Sequence, residues 1–175
     1  MELHGSTHLF NLSLLAITFA AVSVLVMLVR QTMGGKLSKV DVHLVTTFVS
    51  LGFVQSIIAI MPPTIDLLGL SGSALWIVSS GLSSILLAIV WANIQRERAK
   101  FTTGKKSLVV KIRFALQWIA VIILATNAFA PVIQGVGLHA AAVTLSLATA
   151  MWAFVGRIAS LGGDQPHEDW DLDHG

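Results

Sequence analysis

From Ala74 to Lys100 the chain reads "ALWIVSSGLSSILLAIVWANIQRERAK". Nothing between Ala74 and Ile94 carries a charge, and four of the last five residues after Gln95 are Arg96, Glu97, Arg98 and Lys100. A helix needs about 20 residues to cross roughly 30 Å of hydrocarbon. This stretch therefore predicts a membrane-spanning helix with a basic flank.

Four further stretches repeat the pattern: Leu9–Val29, Val42–Met61, Phe114–Ala130 and Leu138–Ile158. Pro62-Pro63 is expected to stop the second, because proline lacks the amide hydrogen a helix needs, and Pro131 to close the fourth. The fourth is the shortest and has room to begin within "SLVVKIR" if Lys111 and Arg113 reach sideways to the interface. The fold expected is an all-α integral membrane bundle of five transmembrane helices within residues 1–160, followed by an acidic tail over 161–175.

Composition agrees. Of 175 residues, 55% are apolar and 11% charged, against about 25% charged in ordinary soluble domains. Too little charge is left for a surface that faces water on all sides. The chain has no cysteine, which excludes disulfides, thiol redox relays and cysteine-ligated zinc.

The positions of the basic residues predict orientation. Arg30, Lys36 and Lys39 follow the first span. Arg96, Arg98, Lys100, Lys105, Lys106, Lys111 and Arg113 separate the third from the fourth, and Arg157 ends the fifth. With five alternating spans every Lys and Arg falls on one side, and the positive-inside rule makes that side cytoplasmic. The expectation is N-terminus out and C-terminus in, in an inner (cytoplasmic) membrane. The first span is read as an anchor rather than a cleaved signal, because its basic residues follow the apolar run. Trp76 at one end of span three, and Trp91, Trp118 and Trp152 toward the opposite ends of their spans, read as an interfacial aromatic belt.

Inside the spans, small residues recur every four positions: Ser80, Ser84, Ala88 and Ala92; Ala142, Ser146 and Ala150; Ala16 and Ala20. Such faces let helices approach closely in lipid. The span-three serines, with Gln55, are read as helix packing, a polar pathway being the alternative. No Asp, Glu, Lys or Arg lies in the middle of a span. Proton-coupled exporters need an intramembrane carboxylate, and retinal proteins a mid-membrane lysine, so both classes lose support.

Three candidate sites remain. "ELHGSTH" at Glu2–His8 carries two imidazoles on the expected outer side, where His139 also lies. His4, His8 and His139 form a candidate metal set if they converge. The loop "QRERAKFTTGKKSLVVKIR" is expected to contact anionic headgroups or a partner protein through Arg96, Arg98, Lys100, Lys105, Lys106, Lys111 and Arg113. The tail "GGDQPHEDWDLDHG" opens like a calcium loop but ends too soon to complete one. It is expected to be a disordered cytoplasmic segment that meets the chain's own basic loop or a basic partner.

Hydrolase signatures are missing: there is no G-x-S-x-G, no H-E-x-x-H and no paired carboxylates in the spans. Nucleic-acid binding has no support either, since the basic run is short and juxtamembrane. In span number, length and several tryptophans the chain resembles, in architecture, the tryptophan-rich sensory proteins of outer membranes, and the resemblance implies a tetrapyrrole ligand. The tryptophan- and tyrosine-rich motifs of that family are absent, and there is no tyrosine at all, so no membership follows.

The function expected is that of a non-enzymatic assembly, accessory or regulatory membrane component without a cofactor, acting as a homo-oligomer or with a membrane partner protein. The alternatives are a homo-oligomeric channel or facilitator, and an outer-face metal or tetrapyrrole sensor.

Overall fold

The computed structural model describes residues 5–32, 39–101 and 108–162. They form five helices: α1 Ser6–Thr32, α2 Lys39–Leu67, α3 Gly72–Phe101, α4 Leu108–Phe129 and α5 Val136–Gly162. Each is long and apolar enough to cross a membrane. Successive helices run in opposite directions, so His43 near the start of α2 meets Arg98 of late α3, Arg113 of early α4 and Arg157 of late α5. The described basic residues accordingly gather at one end of the bundle. Arg30, near the end of α1, lies there too, beside Arg157 in a small recess.

The distribution of side chains departs from that of a soluble bundle. Leu14, Leu25, Phe53, Ile85, Ile122 and Val155 face outward, while Ser13, Gln55, Ser80, Gln117, Asn127 and Ser146 are buried. Water drives apolar groups inward; lipid removes that drive and leaves packing and hydrogen bonding to hold helices together. α2 and α5 each pack against three neighbours, and α1 lies mainly on α2.

The α1–α2 crossing follows from small residues. Gly52 of α2 lies against Ala16 and Ala20, and a Cβ built on it would come within 2.8 Å of both the Ala16 carbonyl oxygen and the Ala20 Cβ. Farther along, Phe19, Phe48 and Phe154 from α1, α2 and α5 meet edge to face, with ring centroids 5.3–6.0 Å apart. Such pairs are worth about 0.5–1.5 kcal/mol each beyond their burial.

Three expectations are corrected. Pro62-Pro63 does not end the second span: α2 continues through both prolines to Leu67 and closes at Gly69, whose φ of 90° lies in the left-handed region. The third span does not give way to loop at Gln95, since α3 carries Arg96, Arg98 and Lys100 in helix as far as Phe101. Cations there oppose the negative end of the helix dipole. Finally, the tryptophans do not form one belt. Trp118 and Trp152 are 39% and 44% exposed, but Trp76 and Trp91 are 8% and 7% exposed and pack inward. Trp76 lies against the His139 ring. Trp91 and Trp118 share one acceptor: oriented as its neighbours require, the Gln95 amide oxygen accepts from both indole N–H groups at 3.0 and 3.1 Å. As expected, α4 takes in part of "SLVVKIR", beginning at Leu108, and stops just ahead of Pro131.

Candidate functional site

The proline pair explains the setting of a wholly buried histidine in the bundle. In an α-helix the amide of residue 62 would donate to the carbonyl of residue 58. Pro62 has no N–H, so the Ile58 carbonyl loses its partner inside an apolar bundle, where an unmet polar group costs several kcal/mol. His139 of α5, wholly buried, supplies the donor: its Nε2 lies 2.9 Å from the Ile58 oxygen.

That contact fixes the direction of a longer chain of bonds. A carbonyl only accepts, so Nε2 carries the proton and Nδ1 must accept. The Ser80 hydroxyl, 2.9 Å away, therefore donates to Nδ1. Ser80 Oγ in turn accepts from Asn127 Nδ2 at 2.8 Å, and Asn127 Oδ1 accepts from the Gly135 amide at 2.8 Å. Gly135 N–H, Asn127, Ser80, His139 and the Ile58 carbonyl thus form one relay through the α4–α5 turn, α4, α3, α5 and α2.

A second cluster lies nearer the basic end. Gln55 Nε2 donates to Ser146 Oγ at 2.9 Å, and that hydroxyl donates to Gln117 Oε1 at 2.7 Å. Gln117 Nε2 returns to the Ser146 carbonyl at 3.0 Å. Ser13 and Ser56 add a bond of 2.7 Å between α1 and α2. Gln55 Oε1 and Ser79 Oγ are buried without a hydrogen-bond partner among the described residues. These groups are amides, hydroxyls and one imidazole; no carboxylate or ammonium stands among them. They hold helices together, and the one hydroxyl–imidazole contact among them, Ser80 to His139, is wholly buried between helices.

The third feature is a cavity of 410 Å³ at the basic end, lined from α2, α3, α4 and α5. Arg98, Arg113, Arg157 and His43 contribute its polar wall, and Phe48, Leu51, Trp91 and Phe114 much of its apolar wall. The Arg113 guanidinium lies over the Trp152 ring, 4.6 Å from its centroid, and its Nη2 donates to the Trp152 carbonyl at 3.3 Å. Gly156 makes room for it, since a Cβ there would stand 2.9 Å from Nη2. Arg98 lies 5.3 Å from the Phe114 centroid.

The residues singled out from sequence distribute as follows. Gln55 and Ser80 bridge helices, whereas Ser84 bonds back to the Gly81 carbonyl of its own helix at 2.9 Å. His8 is exposed on a groove shared with Gly5, Val136, Ala140 and Thr144. His139 turns away from that groove, with both ring nitrogens engaged by α2 and α3. His4 lies outside the described residues, and among those described no three His, Asp or Glu groups gather to hold a metal. Of the basic set, Arg98 and Arg113 enter the cavity. Arg96 and Lys111 are exposed, and Lys100 pairs with Glu97 at 2.7 Å. Lys105, Lys106 and residues 163–175, which hold all of the tail beyond its first residues, lie outside the described residues.

Sequence reasoning overlooked one participant: Arg157, placed only as the residue that ends the fifth span, also lines the cavity. Gln117 and Asn127 are buried amides that bridge helices. Gly156 beside Arg157 was the available signal for close approach. No family model, curated protein or solved structure matches the chain.

Proposed function

We propose that this chain is a non-enzymatic integral membrane protein that serves as an assembly, accessory or regulatory component of a cytoplasmic membrane, with its N-terminus outside and its C-terminus inside. One observation carries the reading: the buried polar groups are mostly spent on one another, in bonds that tie α2, α3, α4 and α5 together. A transport path needs polar groups left open to a passing solute, and a catalytic centre needs a base or nucleophile held in reserve. Gln55 and Ser80, which would line a path through one copy, instead bond to neighbouring helices. The clustering of Arg30, Arg98, Arg113 and Arg157 at one end supports the orientation through the positive-inside rule.

The test is extraction from the native membrane in a mild detergent, followed by native mass spectrometry. A second membrane chain retained at fixed stoichiometry is the expected result. A closed homo-oligomer that passes current when reconstituted in a planar bilayer would overturn the reading in favour of a channel.

A further inference from the structure

At the end of the bundle opposite the arginines, the last turns of α2 and the first of α3 form a hairpin tip, Thr64–Val78, with a core of its own. Ile65, Leu75 and Trp76 are buried there, Leu70 and Val78 pack against them, and Val136 of α5 joins from outside the tip. The turn closes on itself: the Leu68 amide donates to the Ile65 carbonyl at 3.1 Å, and the Gly69 amide to the Asp66 carbonyl at 2.9 Å. An exposed bond of 2.7 Å from Ser73 Oγ to Gln134 Oε1 ties the tip to the α4–α5 turn. We propose that this tip is a rigid cap, hinged where both of its arms are weakest, and that His139 is the latch that holds it shut. Such a device operates whether or not the chain has an accessory role.

In the α2 arm, Pro62 and Pro63 lack amide hydrogens, so the helix bonds to the Ile58 and Ala59 carbonyls are both missing. In the α3 arm the sequence at the same place is Ser79-Ser80-Gly81. Sharp kinks in helices fall chiefly at proline and at Gly/Ser pairs. Packing does not require Gly81, because a Cβ built on it would lie 3.9 Å from the Ala128 Cβ, an ordinary contact. What glycine adds there is backbone freedom, which alanine would remove. Ser79 Oγ is wholly buried and has no hydrogen-bond partner among the described residues. A serine hydroxyl of this kind can meet a carbonyl that bending sets free. The two weak points lie at one depth, since Ser83 Oγ donates to Met61 Sδ at 3.6 Å. A single break would be braced by the other arm; two at one depth make a hinge.

His139 sits on both breaks at once. Its Nε2 donates to the Ile58 carbonyl in the α2 arm, and its Nδ1 accepts from Ser80 in the α3 arm, each at 2.9 Å. Trp76 of the tip lies against the same ring, with centroids 6.2 Å apart. One side chain of α5 thereby pins both hinge points and seats the cap.

The test uses the full-length, cysteine-free chain in lipid nanodiscs. Spin labels are placed at Leu68→Cys on the tip and Val132→Cys on the α4–α5 turn, both exposed. A control pair, Arg96→Cys and Lys111→Cys, lies on exposed positions at the other end. Distances are read by electron paramagnetic resonance. The parent should give one narrow tip distance. His139→Ala should add a second population displaced by roughly 3 Å, the swing of a ~20° kink over the ~9 Å arm from Pro62 to Leu68. The control distance should not change. Adding Pro62→Ala, which restores an amide donor to α2, or Gly81→Ala should shrink the second population.

Far-UV circular dichroism identifies a variant that fails to fold, and Ser80→Ala, which releases the α3 arm alone, keeps the test informative if His139→Ala does so. The proposal is overturned if the folded variants at His139 and Ser80 keep the parent's tip distance. It is overturned equally if the control pair broadens as much as the tip, because His139 would then only stabilise the bundle at large. A second population untouched by both Pro62→Ala and Gly81→Ala would also overturn it, by placing the motion elsewhere.

Discussion

His139 shows how much one side chain settles. Its imidazole meets the Ile58 carbonyl that Pro62 leaves without a donor, and its other nitrogen anchors Ser80. His139→Ala should therefore cost about 1–3 kcal/mol or more, because it strands a buried carbonyl and hydroxyl. In a Pro62→Ala background residue 62 regains an amide hydrogen, Ile58 recovers a partner within its own helix, and the same His139→Ala change should cost less. A double-mutant cycle read by thermal unfolding in detergent should give a coupling of roughly 0.5–3 kcal/mol; strict additivity would count against the link. The proline pair was visible in the sequence, and so was His139. Their connection was not, because it runs through a bond between His139 and Ile58, 81 positions apart, and local rules for proline take no account of a donor on another helix.

At the scale of the helix, composition was informative wherever the membrane makes the decision. Length and hydropathy located five spans because an apolar run of sufficient length admits few other fates in lipid. Small-residue spacing at Ala16 and Ala20 pointed to close packing, and the partner proved to be Gly52. Gly52→Ala should lower stability by about 1–3 kcal/mol, as overpacking does, because the neighbours are a helix backbone and an alanine with no room to move. Gly156→Ala should be milder, since the group it meets is the end of a flexible arginine. Comparing the two melting temperatures tests this order. Helix ends were read less well. Charged residues signal the membrane boundary rather than the helix boundary, and α3 runs past that signal to Phe101. The indoles misled for a related reason. Residue type places a tryptophan near an interface, but only the neighbouring helices decide whether it faces lipid or, like Trp76 and Trp91, the interior.

For the molecule as a whole, alternation of the helices brings the described arginines to one end, and the proposed orientation puts that end in the cytoplasm. The absence of cysteine makes this direct to test with single substitutions. Val132→Cys, 96% exposed at the opposite end, should react in intact cells with a reagent that does not cross membranes. Lys100→Cys should react only after permeabilisation; the reverse pattern would invert the topology. The candidate cavity was less legible than the spans, because its lining draws on α2, α3, α4 and α5 and no segment of sequence contains more than a part of it. The central claim is that the polar core is closed and serves to join helices. It is tested most directly by Ser80→Cys and Ser146→Cys, each close in size to the native side chain, exposed to a small water-soluble thiol reagent from both sides of a reconstituted membrane. The expected result is no labelling at either position until the protein is unfolded, with Val132→Cys reacting freely as the control. Rapid labelling of both buried positions in the folded protein would contradict the claim and show a water-filled path through the bundle.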